Sequence, residues 1–420
     1  MRLRAIIAAG LVGLAAAAAV SSRPLVFAAA AVILLALAAG YARRHLFDRL
    51  EYRRVLSKRV VTWGGEVEVA TEVINRKWLP VVWVHVRDEW PTLVEPLWPS
   101  ARRAASGALA LDQTFSVRWY ERVRRRHRGR CMTRGVHSFG PAALDAADPF
   151  GLAGGELHDA RTDKLLVLPK VLAVPDVELL FGRPLVGAPV RRSLAHDPTS
   201  LVGVRPYRPG DPVRAVNWRA TARHGELYSN DWDPTTVAQV LIILDARSFE
   251  HIWQGMSAET TELLCVVCAS LASDLQERGF GVGLVSNARQ SGDWRQVEVE
   301  PGTGTLPEIL EALAKVIVFP PPPLDDILAR ELARPHPFTE YVVVTASINA
   351  EWAPLLEALR AERATHVVYV EEPRGVAIPR SRTTAVPQRL TPEQNDIAHL
   401  IDARIPAAFD WRGQDALPLA

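Results

Sequence analysis

The chain opens with two uncharged apolar stretches, Ala5–Val20 and Leu25–Tyr41, parted only by Ser21-Ser22-Arg23-Pro24. Nothing else in the sequence constrains folding as tightly. Apolar runs close to the roughly 17 to 25 residues of a bilayer-spanning helix must satisfy their backbone groups internally, so each is predicted to be a membrane helix. The short polar break between them predicts a helical hairpin over residues 1–45. Arg2 and Arg4 precede the first stretch, Arg43, Arg44, Arg49, Arg53, Arg54, Lys58 and Arg59 follow the second, and only Arg23 lies between. The positive-inside rule then predicts a two-pass protein of the inner (plasma) membrane, with both ends and the soluble domains in the cytoplasm. A cleaved signal peptide would share the basic start, but a second apolar segment following so closely argues against it.

Beyond the membrane segment, 420 residues are too many for one core and predict further domains. A formal charge of +2 gives no global field toward nucleic acid. Three cysteines do not make a disulfide framework, and free thiols fit a reducing compartment. Cys265-Val266-Val267-Cys268 has a metal-like spacing, yet it sits inside the helix-periodic run Thr260–Leu275 with no second ligand pair nearby. Buried helical thiols are the expectation there.

Residues 55–170 read as a small antiparallel β-sandwich. Glu66–Val73, Val81–Arg87 and Thr114–Tyr120 alternate apolar and polar residues with turn residues between them. Arg122–Arg130 is the densest charge run. It could meet phosphates of lipid or nucleic acid, but its alternation predicts a solvated strand that turns at Arg128-Gly129 toward Cys131–Val136.

From residue 237 to 405 the pattern changes to α/β. Apolar strands at Val240–Leu244, Gly281–Ser286, Tyr341–Thr345 and His366–Val370 alternate with helices at Ala258–Arg278, Leu306–Ile317, Leu324–Ala333 and Trp352–Arg363. Short strands between amphipathic helices predict a mostly parallel sheet covered on both faces, with any ligand beyond the strands' carboxyl ends. The overall class is therefore α+β multidomain. A linker at 171–236 and a tail at 406–420 complete the chain.

The linker carries the most distinctive motif: Arg205-x-Tyr207-Arg208-x-Gly210-Asp211-x-x-Arg214-x-x-Asn217-Trp218, followed by Arg219 and Arg223. Pro209-Gly210-Asp211 is turn chemistry, flanked by guanidinium forks whose nearest carboxylate is Asp211. Arg205, Asp211 and Arg214 are expected to form one network in which Asp211 is buried, and at least one of Arg208 and Arg219, which lack an obvious local carboxylate, is expected to be exposed. This element, with Asp148-Pro149-Phe150-Gly151-Leu152 upstream, resembles the signature of a bacterial family known as domain of unknown function fifty-eight. The resemblance covers almost the whole chain. It implies an immunoglobulin-like β-domain, a von Willebrand factor A-like domain, and association with MoxR-type AAA+ ATPases.

Von Willebrand A domains hold Mg²⁺ through Asp-x-Ser-x-Ser on the first strand, a threonine from a second loop and an aspartate from a third. Here the first strand ends in Asp245-Ala246-Arg247-Ser248-Phe249, so arginine and phenylalanine stand at the serine positions. Thr303 could supply the second-loop hydroxyl, while Thr345-Ala346 has alanine in place of the aspartate. One carboxylate beside a guanidinium suits a hard cation poorly, so a degenerate site without metal or cofactor is predicted: Asp245 either pairs with Arg247 or, the favoured reading, caps the turn beyond the buried strand.

No phosphate loop, nucleophile elbow or zinc-protease motif occurs. The predicted function is non-enzymatic: a membrane-anchored cytoplasmic adaptor whose A-like domain docks a protein partner, by resemblance a MoxR-type ATPase. Membrane lipid is a further predicted contact, and no specific nucleic acid is. The competing readings are a hydrolase of phosphorylated substrates using Asp211 and its arginines, and a lipid- or nucleic-acid-binding module using Arg122–Arg130.

Overall fold

The computed structural model describes residues 2–19, 23–97, 102–103, 109–147, 154–173, 201–207, 216–232, 238–249, 255–334, 339–347, 351–371, 400–406, 409, 411–414 and 416. These residues form two compact units, one built mainly on Met1–Lys170 and the other on Val171–Ala312 with Ile317–Asp415.

The first unit begins with α1 (Arg2–Ala19) and α2 (Arg23–Arg44). Where the sequence predicted two spanning helices, one helix among the described residues, α2, is long and apolar enough to cross a membrane. α1 opens on Arg2 and Arg4, which leaves it a shorter uncharged stretch than α2 has between Arg23 and Arg43. The link at residues 20–22 lies outside the described residues.

Twelve strands follow. In chain order they are β1 (Leu50–Leu56), β2 (Val60–Thr62), β3 (Glu66–Asn75), β4 (Val81–Trp90), β5 (Val94–Pro96) and β6 (Arg102–Arg103). Then come β7 (Leu109–Val117), β8 (Arg122–Cys131), β9 (Gly135–Phe139), β10 (Ala142–Ala147), β11 (Gly154–Asp159) and β12 (Asp163–Leu168). They make two antiparallel sheets, ordered β1-β3-β8-β5 and β11-β10-β4-β7-β6, and a small mixed sheet β2-β12-β9. Period-two alternation sends one set of side chains inward. Tyr52, Val73, Val84, Val86, Phe115 and Leu144 meet in one cluster, and Val67, Val69, Trp90, Phe139 and Leu165 in another. Each such buried side chain contributes roughly 1.5 to 3 kcal/mol.

Two features differ from the sequence reading. Gly129 does not turn the chain; it lies inside β8, where a Cβ would come within 2.8 Å of both Trp90 and Val94. The glycine lets the indole lie across the strand. The second is a buried polar center: Arg54 donates through Nε to Asp88 at 2.8 Å, and Tyr52 donates its hydroxyl to the same carboxylate at 2.7 Å. The Asp148–Leu152 motif lies outside the described residues.

In the second unit, β13 (Leu201–Pro206) pairs antiparallel with β14 (Tyr228–Trp232), and α3 (Trp218–His224) lies between them in sequence. A six-stranded sheet follows. Its strands are β15 (Gln239–Leu244), β16 (Gly281–Gln290), β17 (Asp293–Gly302), β18 (Thr339–Thr345), β19 (Thr365–Val370) and β20 (Ala403–Ile405). Their order is β17-β16-β15-β18-β19-β20, parallel except for β17. The helices are α4 (Ala258–Glu277), α5 (Leu306–Lys315), α6 (Asp325–Ala333) and α7 (Ala353–Glu362). Leu241, Ile243, Tyr341 and Val343 pack with Ile327, Leu328, Leu356 and Leu359 from α6 and α7. Their neighbours Val240, Ile242, Val342 and Val344 are equally buried, so both faces of the sheet are covered, and α4 packs against the same strands. That two-sided burial explains the unbroken apolar runs in the sequence. Cys265 and Cys268 are fully buried in α4, and burial pushes the Cys268 thiol up.

Candidate functional site

The sheet reverses its winding between β15 and β18, the place where open parallel sheets bind ligands beyond their carboxyl ends. Asp245 and Thr345 stand at the ends of those two strands. The Asp245 carboxylate is 1% exposed. Its Oδ1 accepts from Asn287 Nδ2 at 2.8 Å and from the Arg247 backbone N–H at 3.2 Å, and its Oδ2 accepts from the Thr345 hydroxyl at 3.1 Å. Asn287 also accepts from the Ala246 N–H at 2.8 Å and gives its other proton to the Pro322 carbonyl at 3.0 Å. Ser286 donates to the Leu244 carbonyl at 2.8 Å and accepts from the Ala288 N–H. Burial pushes the Asp245 carboxyl up, against the opposing effects of the Asn287 bond, the Arg247 charge and the Thr345 bond.

Three expectations change here. Arg247 does not form an ion pair with Asp245: its side chain is buried, the Nε finds no hydrogen-bond partner, and neutral donors take the carboxylate instead. Thr303 is at the wrong end of the sheet. Because β17 runs antiparallel, Gly302 returns beside Val282 at the start of β16, so the exposed Thr303 next to it lies a strand length away from Asp245. Asn287, which the sequence reading missed, stands beside Asp245 and donates its amide proton to the carboxylate. The signal was its position two residues past the apolar run Val282–Val285. Ser248 turns its hydroxyl toward the Ser257 carbonyl at 3.3 Å, and Ser257 in turn caps α4 by accepting from the Thr260 N–H. Among the described residues no group of three His, Cys, Asp or Glu side chains is placed to hold a metal ion. Chemically, the arrangement ties the ends of β15 and β18 to the middle of β16.

The signature element behaves differently. Arg205 lies on β13 opposite Ser229, and the Tyr207 N–H donates to the Leu227 carbonyl at 2.8 Å. Asn217 is the N-cap of α3: its side chain accepts from the Ala220 N–H at 2.9 Å, while its own N–H donates to the Tyr228 carbonyl. Gly225, at φ 75°, ends the helix in the left-handed conformation that suits glycine. No residue of α3 is buried, and Trp218 is 66% exposed beside exposed Arg219 and Arg223. Arg208, Gly210, Asp211 and Arg214 lie outside the described residues, and with them the expected buried network.

The row of arginines on β8 is exposed on one face, as a binding strand requires, but three glutamates offset most of its charge. Antiparallel register sets Glu66, Glu68 and Glu72 of β3 among Arg130, Arg128, Arg126 and Arg124, with ion-pair distances of 3.3 to 3.8 Å. Arg125, on the other face, stacks over Phe115 at 4.6 Å. The sequence run looked basic because its acidic partners lie some sixty residues away.

YeaD of Bacillus subtilis (strain 168), described as an uncharacterized protein, is 22% identical to this chain over 315 residues, covering 72% of each. Among solved structures, the CARDB domain of the PF1109 protein from Pyrococcus furiosus matches 29% of this chain and 91% of its own, at 16% identity and a TM-score of 0.20. A type II cohesin domain from Acetivibrio cellulolyticus matches 28% and 95%, at 8% identity and a TM-score of 0.22. Scores that low carry no statement about this chain. The family described as "Protein of unknown function DUF58" matches residues 203–415, which begins at the signature element and takes in the whole six-stranded sheet. That match spans just over half of the sequence, and the chain belongs to this family.

Proposed function

We propose that the protein is a membrane-tethered, non-enzymatic adaptor whose second unit docks a protein partner through the signature element. The observation that carries this reading is Trp218, 66% exposed on a helix that buries nothing, with Arg219 and Arg223 beside it. Tryptophan and arginine are the residue types that dominate binding energy at interfaces, and the apolar surface of an indole is unfavourable to leave in water. The opposite case holds at Asp245, whose oxygens are engaged by the protein's own donors.

Anchoring would be two-pass, with both ends and both soluble units cytoplasmic. The arginine asymmetry around the apolar segments supports it, as does Gly10 of α1, whose missing side chain leaves room for Ile33 of α2. The strand order of the second unit, with one antiparallel edge, supports a von Willebrand A-like reading. A MoxR-type AAA+ ATPase is the partner class that family resemblance favours, and the role would be assembly or remodelling of complexes at the membrane.

Crosslinking and pull-down of the intact protein from its native membrane tests the reading. Trp218→Ala and Arg219→Ala are expected to melt like wild type, since exposed positions usually shift stability by less than about 0.5 kcal/mol, yet to lose the ATPase from the captured set. Capture unchanged in both variants would remove the docking role from α3. A reporter fused after Ala420 that works only in the periplasm would overturn the topology.

A further inference from the structure

We propose that the end of the β-sandwich beside α2 is a membrane-interface anchor, an aromatic tip that lies in the headgroup layer and fixes the soluble part of the first unit against the bilayer. The inference rests on the reading that α2 spans the membrane. Two turns build the tip. Asn75, almost fully buried, donates through Nδ2 to the carbonyls of Leu79 at 2.9 Å and Arg118 at 2.8 Å, and its N–H donates to the Glu121 carbonyl. The Tyr120 N–H donates to the Lys77 carbonyl at 3.2 Å. Residues 75–79 and 118–121 are thereby one rigid piece.

That piece is bolted to the end of α2. Lys77, buried, donates its ammonium to the carbonyl of His45 at 2.7 Å and to that of Leu46, just beyond the helix. The ring of Trp78 lies 6.3 Å from that of Tyr41 in the last turns of α2. From this base three large aromatics point into solvent: Trp78 is 61% exposed, Trp119 63% and Tyr120 69%. Val82 and Trp83, at the start of β4, are exposed too, and the exposed Arg43, Arg44 and Arg118 adjoin Tyr41 and Trp119 in sequence. Such a patch is unfavourable in water and out of place on a soluble face.

Geometry says what covers it. The 22 residues of α2 extend about 33 Å, close to the roughly 30 Å of a hydrocarbon core. Tyr41 and the arginine pair that follow then mark the boundary, and headgroups extend some 5 to 7 Å beyond it. A tryptophan ring 6.3 Å from Tyr41 falls in that layer. Amphipathic tryptophan and tyrosine rings partition there, and basic side chains meet anionic headgroups.

The test uses the full-length chain in vesicles of phosphatidylethanolamine and phosphatidylglycerol. A polarity-sensitive fluorophore is placed through Trp78→Cys, Trp119→Cys or Tyr120→Cys, with Lys58→Cys, exposed at the far end of β3's neighbour strand, as control. The native cysteines at 131, 265 and 268 are buried and do not compete. Emission from the three tip sites is expected to shift to the blue and to be quenched by lipids brominated high in the acyl chain, while the label at 58 stays water-like and unquenched. Protein that floats with the vesicles yet shows water-like, unquenched labels at all three tip sites overturns the inference and leaves the tip to a protein partner. Protein that does not float at all overturns membrane anchoring itself, and the tip's role with it.

Discussion

Asp245 separates a structural carboxylate from a ligand site through two substitutions of nearly equal size. In Asp245→Asn the new carbonyl oxygen keeps the bonds from Asn287 Nδ2 and the Arg247 N–H. The new amide donates to the Thr345 hydroxyl, which turns its own proton to the Ser347 carbonyl, already 2.8 Å away. Every bond survives and a buried charge is gone. In Asp245→Ala, one Asn287 proton and the Arg247 N–H are left buried without acceptors, while Thr345 and the second Asn287 proton keep Ser347 and Pro322. At about 1 to 3 kcal/mol for each orphaned donor, the alanine variant is expected to lose about 2 to 6 kcal/mol, and the asparagine variant much less, because its one unpaired amide proton is offset by the loss of a buried charge. The pH dependence gives a second readout. Burial raises the Asp245 carboxyl above its ordinary 3.8, so the folded chain binds that proton more tightly than the unfolded chain. The stability this adds is fully present below about pH 4 and is lost as pH rises through the folded value. Relative to wild type, Asp245→Asn should therefore gain stability as pH rises above about 4. Thermal melts of wild type and both variants across pH, with and without millimolar Mg²⁺, decide it. A large loss in Asp245→Asn, joined to a wild-type melting temperature raised by Mg²⁺, would refute the reasoning and make Asp245 a metal ligand.

Asp88→Ala strips the buried Arg54 guanidinium of its main partner and the Tyr52 hydroxyl of its acceptor, and chemical denaturation should show a loss of about 3 to 5 kcal/mol. Gly129→Ala forces a methyl group against Trp90 and Val94, with an expected cost of about 1 to 3 kcal/mol in the same assay. Burial lowers Lys77 from 10.5 to about 8, so between those values the unfolded chain holds the proton that the folded chain has released. Stability should rise with pH across that window, and Lys77→Met should flatten the rise; an unchanged slope would mean the ammonium is fully hydrated.

Some of this molecule is written locally and can be read from the chain. Apolar runs of near-bilayer length, period-two alternation at Glu66–Val73 and short apolar strands between amphipathic helices each depend on neighbours in sequence, and the strands and helices of both units follow them. Helix caps are equally local, as at Asn217 and Ser257. What only the tertiary structure decided is which distant residues share an environment. Thr303 seemed able to reach Asp245 until the antiparallel return of β17 carried it to the opposite edge, and Asn287 came into place because β16 runs parallel beside β15. The arginines of β8 stand as a dense basic run in sequence, and only register sets Glu66, Glu68 and Glu72 against them. Trp78, Trp119 and Tyr120 are far apart or unremarked in sequence, and two turns held by Asn75 make them one surface. Pairing register and burial are sums over the whole chain, and a short window of sequence contains neither.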